Sequence, residues 1–307
     1  MNPAPDFAYN PDPSPPPEPP PPAPAGDLGL LQGLTGTWSG TGFNAIWRPS
    51  QLAIGQDRFL ELNLTSETLE FDPIAGPIPN RGLLQPDIQM GGLRYLQQIS
   101  DANFQPPSNG LHLEPGLWLN VPATTNPAVS ASVVRLASIP HGTAVLAQGV
   151  ASQASGGPTI PPINLNPFPI GNPGGASPFP EQNLATNTQF RTSGQGLTNI
   201  TQAVVDNPNS ILAAVLAEQT IVSTITLQVA TTDLPVPGGG TENTAFLAGD
   251  TGGPNANAAT VTATFWLETV QGTPNIQQLQ YTQTVLLNFN GLSWPHVTVA
   301  TLQLASS

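Results

Sequence analysis

Three histidines, His112, His141 and His296, are the strongest nitrogen or sulfur ligands this chain can offer a soft or borderline metal, because it has no cysteine. A neutral imidazole is an ordinary axial ligand for haem iron. His296 stands in Trp294-Pro295-His296-Val297, where the preceding proline helps to fix its backbone. His141 stands in Ile139-Pro140-His141-Gly142, and facing an iron it would serve as a distal acid–base or hydrogen-bonding group. An imidazole with an ordinary pKa of about 6.5 can change charge in the working pH range. The bland alternative for His141 is a turn residue facing solvent. His112 shares a strand face with Glu114, a pair expected to be structural.

The residues that are missing exclude as much as those present imply. Without cysteine there are no disulfides, thiol nucleophiles, iron–sulfur clusters or thiolate zinc sites. All six basic residues are Arg, so Schiff-base and PLP chemistry through lysine is excluded. A net charge of −13 argues against nucleic acid and anionic membranes, which recruit basic patches. No G-x-S-x-G elbow, P-loop or H-x-x-x-H pair is present, and the acidic residues have no spacing that demands catalysis. The first residues lack a basic segment and an apolar core, and no apolar run is long enough to span a membrane, so a cytoplasmic protein is expected.

The elements that must position the histidines read as strands. Leu60–Leu64, Ile221–Val229 and Val261–Glu268 alternate apolar with polar residues and are rich in β-branched and aromatic side chains. Similar stretches cover Leu93–Ile99, Leu111–Val121, Val133–Ser138, Ala144–Gln153, Gln278–Phe289 and Val297–Leu304, separated by turns such as Asn290-Gly291. About ten strands by this pattern predict an all-β barrel or sandwich. Residues 1–26 form a proline-rich tail, outside the fold, whose partner is unspecified. Residues 27–307 are expected to be one β-barrel domain with an insertion at about 154–219. The insertion holds a long Pro/Gly/Asn-rich loop and one short helix near Ile211–Glu218, expected as a plug or lid on the barrel.

The word Gly36-Thr37-Trp38-Ser39-Gly40-Thr41-Gly42 on the first strand resembles the nitrobindin family. These are small haem-binding β-barrels, also described as peroxynitrite isomerases, similar in outline to lipocalins and fatty-acid-binding proteins. The likeness extends to Leu111-His112-Leu113-Glu114-Pro115-Gly116-Leu117-Trp118, to Val134–Gly142, and to Pro295–Leu302, in the same order along the chain. It implies a closed antiparallel barrel of about ten strands holding haem b, with His296 as the iron's proximal ligand. His141 is then the distal, catalytic candidate, and Thr37, Trp38 and Gly40 join both histidines in binding the cofactor. The expected chemistry is with nitric oxide, peroxide or peroxynitrite, in a peroxidase-like or isomerase-like protein, with a homodimer as one option for its assembly. The alternative is a non-haem carrier of a lipid, pigment or other apolar molecule, with Trp38, Phe43, Trp47, Trp118 and Trp266 as wall residues.

Overall fold

A computed structural model describes residues 25–50, 58–106, 109–139, 142–232, 236, 238–248 and 256–305. His141 and nearly all of the proline-rich segment lie outside the described residues. Ten long strands run in sequence: β1 (Gly36–Arg48), β2 (Phe59–Pro73), β3 (Ile88–Asp101), β4 (Gly110–Val121), β5 (Ser132–Ile139), β6 (Thr143–Ser155), β7 (Ile221–Ala230), β8 (Asn257–Val270), β9 (Ile276–Phe289) and β10 (Leu292–Leu304). Each pairs antiparallel with the next, and β10 returns to pair with β1, so the sheet closes into a barrel. The short strand Gly240–Asn243 adds to β6, and Ile78–Asn80 to β3. Among the described residues no helix is long and apolar enough to cross a membrane.

Closure demands a tight seam between first and last strands. A Cβ on Gly40 would come within 2.1 Å of the Thr301 carbonyl oxygen, and one on Gly42 within 2.2 Å of that of Val299. The β9–β10 hairpin turns through Asn290 and Gly291, both at positive φ (49° and 77°), as a two-residue hairpin turn of the I′ kind requires.

The wall is one strand thick but packs on both faces. Inside, the lower half is filled by Trp38, Leu69, Phe71, Trp118, Phe265 and Leu267. The 3₁₀ turn Gly29–Leu34 stoppers this end, with Leu31 and Leu34 fully buried and Trp38 Nε1 donating to the Leu34 carbonyl at 2.7 Å. Outside, Phe43, Ala45, Trp47, Leu60, Leu62, Val297 and Val299 form a second apolar layer. The segment between β6 and β7 covers it, with Leu165, Ile200, Val205 and Leu212 as anchors.

That segment carries α1 (Gln202–Asp206) and α2 (Ser210–Ala217). Placing α2 as a plug is therefore corrected: it lies on the outer wall, where Gln280 Nε2 reaches the Leu212 carbonyl. The stopper is the 3₁₀ element, whose six residues are too short a stretch to stand out as a helix.

Candidate functional site

Strand parity decides what the upper interior presents. On β10, His296, Thr298, Ala300 and Leu302 point inward, while Val297 and Val299 pack under the insertion. The same alternation brings Asn44, Ile46 and Arg48 inward from β1, and Gln97 and Ile99 from β3. It also brings His112 and Glu114 from β4, and Tyr281, Gln283 and Val285 from β9.

These side chains enclose two adjoining chambers. One, of about 220 Å³, is mixed, with Asn44, Glu61, Gln97, Tyr281 and Thr298 beside Ile99 and Leu111 in its wall. The other, of about 200 Å³, is apolar, with Ile139, Ala258, Val261, Val285 and Leu287 in its wall. Ile46, Arg48, His112, Gln283 and His296 line both, so the two histidines stand where the chambers meet. No residue of the insertion lines either chamber, which leaves it a buttress of the wall rather than a cover.

His296 is held by its neighbours. Its Nε2 lies 2.8 Å from Asn44 Oδ1, which also accepts from the Thr298 hydroxyl at 3.0 Å. Asn44 Nδ2 donates to Asn63 Oδ1, and Asn63 Nδ2 to Asp101 Oδ2, so the orientation of the amide is set by a chain of partners. Above, Arg48 Nε bonds Glu61 Oε2 at 2.7 Å, and its guanidinium lies 4.5 Å over the Phe59 ring.

Beneath the mixed chamber two carboxyls are buried, with pKa values shifted in opposite directions. Burial would raise the pKa of Glu114, but the Arg135 guanidinium, His112 and Tyr95 hold it down to about 2. Its Oε1 accepts from both Arg135 NH2 and the Tyr95 hydroxyl, and its Oε2 lies 3.1 Å from His112 Nε2. Glu67 has only neutral donors in direct contact, the Tyr281 hydroxyl at 2.6 Å and the Thr65 hydroxyl at 2.8 Å. Burial therefore wins and raises its pKa. Gln97 Nε2 donates to the Tyr281 oxygen at 2.9 Å, which links this pair to the chamber wall.

Of the residues singled out from sequence, His296 is in the cavity. Thr37, Trp38 and Gly40 are not. Thr37 faces solvent, Trp38 fills the closed end, and Gly40 serves the β1–β10 seam. The G-x-W-x-G-x-G word thus closes and floors the barrel instead of lining its chambers. Phe43, Trp47 and Trp266 pack on the outer wall and Trp118 in the floor, so none is a chamber wall. His112, which shares its strand face with Glu114, points inside and pairs with it there. Its shared parity with buried Trp118 was the available signal, since both lie on one face of β4.

Among the described residues, no three or more His, Asp or Glu side chains gather as a metal-binding group. No protein-family model, no curated protein and no solved structure matches this chain.

Proposed function

We propose that the double chamber binds haem b, with the His296 imidazole as the axial ligand of its iron. The observation that carries this reading is the placement of His296: on the last strand, pointing inward, at the edge of an apolar chamber. Among the described residues no group of three or more His, Asp or Glu side chains surrounds this imidazole, which suits a metal that arrives already held by a macrocycle. The residues present fit such a group. Ile46, Val285, Leu287 and Ile139 offer an apolar wall to its face, and Arg48 offers a guanidinium to a carboxylate side group. Each chamber alone is smaller than the roughly 300–1,000 Å³ of typical ligand sites, and the two adjoin along Ile46, Arg48, His112, Gln283 and His296. The closed ten-stranded antiparallel barrel also agrees with the nitrobindin-like resemblance.

Bound haem would supply an iron able to take nitric oxide, peroxide or peroxynitrite on its other face. The chain's own part is to hold, orient and shield. Asn44 and Thr298 fix the His296 ring, and ligation through Nε2 would replace its present contact with Asn44 Oδ1. The apolar wall keeps water from that side, while the amides of Gln97 and Gln283 and the Tyr281 hydroxyl offer hydrogen bonds on the other.

Titration of the purified protein with haemin tests this reading. A saturating Soret band at one equivalent is expected, with at least a tenfold loss of affinity in His296→Ala. Equal affinity and an identical spectrum in the variant would remove the axial assignment. A second reading, a carrier of an apolar non-haem molecule, is favoured by the hydrogen bond His296 already makes to Asn44. It predicts no Soret band and uptake of an apolar fluorescent probe that competes for the Val285–Leu287 wall.

A further inference from the structure

Gln283 borders both chambers, and its amide has a fixed direction. Arg135 NH1 meets its Oε1 at 2.5 Å, and a guanidinium can only donate, so that oxygen accepts. Arg135 is itself buried and anchored on Glu114, which holds the donor in place. The Gln283 Nε2 hydrogens are therefore turned away from Arg135, and they meet no acceptor among the described residues. Gln97 has the complementary arrangement. Its Nε2 donates to the Tyr281 oxygen at 2.9 Å and lies beside the Glu67 carboxyl. Its Oε1 meets no donor among the described residues. Neither Gln283 Nε2 nor Gln97 Oε1 is sealed away in the interior, so both open on the chamber that their side chains line. Gln97 touches Tyr281, and Tyr281 and Gln283 stand two residues apart on the inner face of β9. One small chamber thus presents a donor and an acceptor that the protein itself leaves unmatched.

We propose that the chambers bind a neutral carboxamide with an apolar tail. Its carbonyl oxygen accepts from Gln283 Nε2, its N–H donates to Gln97 Oε1, and its tail lies along Val261, Val285 and Leu287. The assignment rests on the reading of the barrel as a carrier of an apolar molecule, needs no iron, and names the head group that such a molecule carries. A group with both an acceptor and a donor satisfies both glutamines at once. A carboxylate, which only accepts, sets its lone pairs against Gln97 Oε1. An ammonium, which only donates, sets its hydrogens against Gln283 Nε2. Leaving one of these groups unmatched beneath a bound ligand is the penalty that separates the three head groups.

The test uses three probes with one tail: hexanamide, hexanoate and hexylammonium, each titrated into the full chain at pH 8 and followed by nitrogen-15 NMR. Hexanamide is expected to bind on the order of tenfold more tightly than either ion and to shift the side-chain amide signals of Gln283 and Gln97. Gln283→Met should lose that preference while its affinity for Nile red, a neutral apolar dye, stays unchanged. Gln97→Met should do the same, and it leaves the Arg135 contact intact should Gln283→Met fail to fold. Hexanoate or hexylammonium binding as tightly as hexanamide would overturn the head-group assignment. So would a preference that survives both substitutions. Uptake of Nile red without hexanamide would overturn the carboxamide and leave the carrier reading standing. Uptake of neither would overturn both together.

Discussion

Glu114 and Glu67 are both sealed in the barrel interior, yet one has a guanidinium beside it and the other only hydroxyls and an amide. Removing the charged partner should therefore cost far more than removing the neutral one. Glu114→Ala leaves Arg135 as an uncompensated buried cation, and a loss of about 3–5 kcal/mol is expected in urea denaturation at pH 7. Glu67→Gln keeps the hydrogen-bonding shape of a carboxyl that burial already holds toward its neutral form, so a change below about 1 kcal/mol is expected in the same experiment. Similar losses in the two variants would contradict the contrast between a carboxyl paired with a guanidinium and one bonded only to neutral donors. At this scale the sequence was only partly legible. His296 could be singled out, because histidine is rare here and metal chemistry needs it, but alternation alone gave two faces without saying which was inside. The same ambiguity holds for His112: a His–carboxylate pair looks the same on either face, and only closure of the barrel turns β4 inward at that pair.

Elements show which constraints are structural. The β1–β10 seam depends on Gly40, where any Cβ meets the backbone of Thr301 at 2.1 Å. Gly40→Val should open the seam, read as loss of protection in hydrogen exchange for amides paired between Trp38 and Leu304 and between Gly42 and Ala300. The 3₁₀ stopper depends on Leu34, so Leu34→Ala should cost about 2–5 kcal/mol while haemin affinity stays unchanged, because the chambers lie at the other end. On the outer wall, β8 and β9 carry Glu268 and Gln278, with Gln278 Nε2 donating to both Glu268 Oε2 and Gln219 just past α2. Burial of Glu268, only partly offset by Gln278, raises its pKa to about 7. A carboxyl raised in this way stabilises the fold below its ordinary pKa and loses that contribution as pH rises through about 7. Wild-type stability should thus fall between pH 5 and 8 by on the order of 3 kcal/mol more than in Glu268→Gln, as measured by denaturation at each pH. Parallel pH dependences in the two proteins would show that Glu268 is not the titrating group. The strands and the Asn290-Gly291 hairpin were legible from alternation and turn chemistry. The stopper was not, because a six-residue 3₁₀ element is too short to show a repeating pattern.

At the scale of the whole molecule, the barrel wall separates two cores, and the insertion serves the outer one. Phe43, Trp47, Leu60, Leu62 and Trp294 would face water without it. Replacing residues 157–219 by a short Gly/Ser linker should therefore give a protein that binds hydrophobic dyes and aggregates in size-exclusion chromatography. A monodisperse deletion variant would mean that the outer layer is not a core at all. The insertion could be recognised in the sequence as a Pro/Gly/Asn-rich break in the strand pattern. Its place on the outer wall could not, because its few apolar anchors carry no period that points to a partner. Ten strands leave a barrel wide enough to keep an internal cavity at one end while hydrocarbon fills the other. The most direct test of the account is a crystal structure of the haemin-treated protein with anomalous data at the iron edge. The account predicts a single iron peak at bonding distance from the His296 imidazole, with the macrocycle against Val285 and Leu287. Iron elsewhere, or a macrocycle only on the outer surface with His296 still bonded to Asn44, would contradict it.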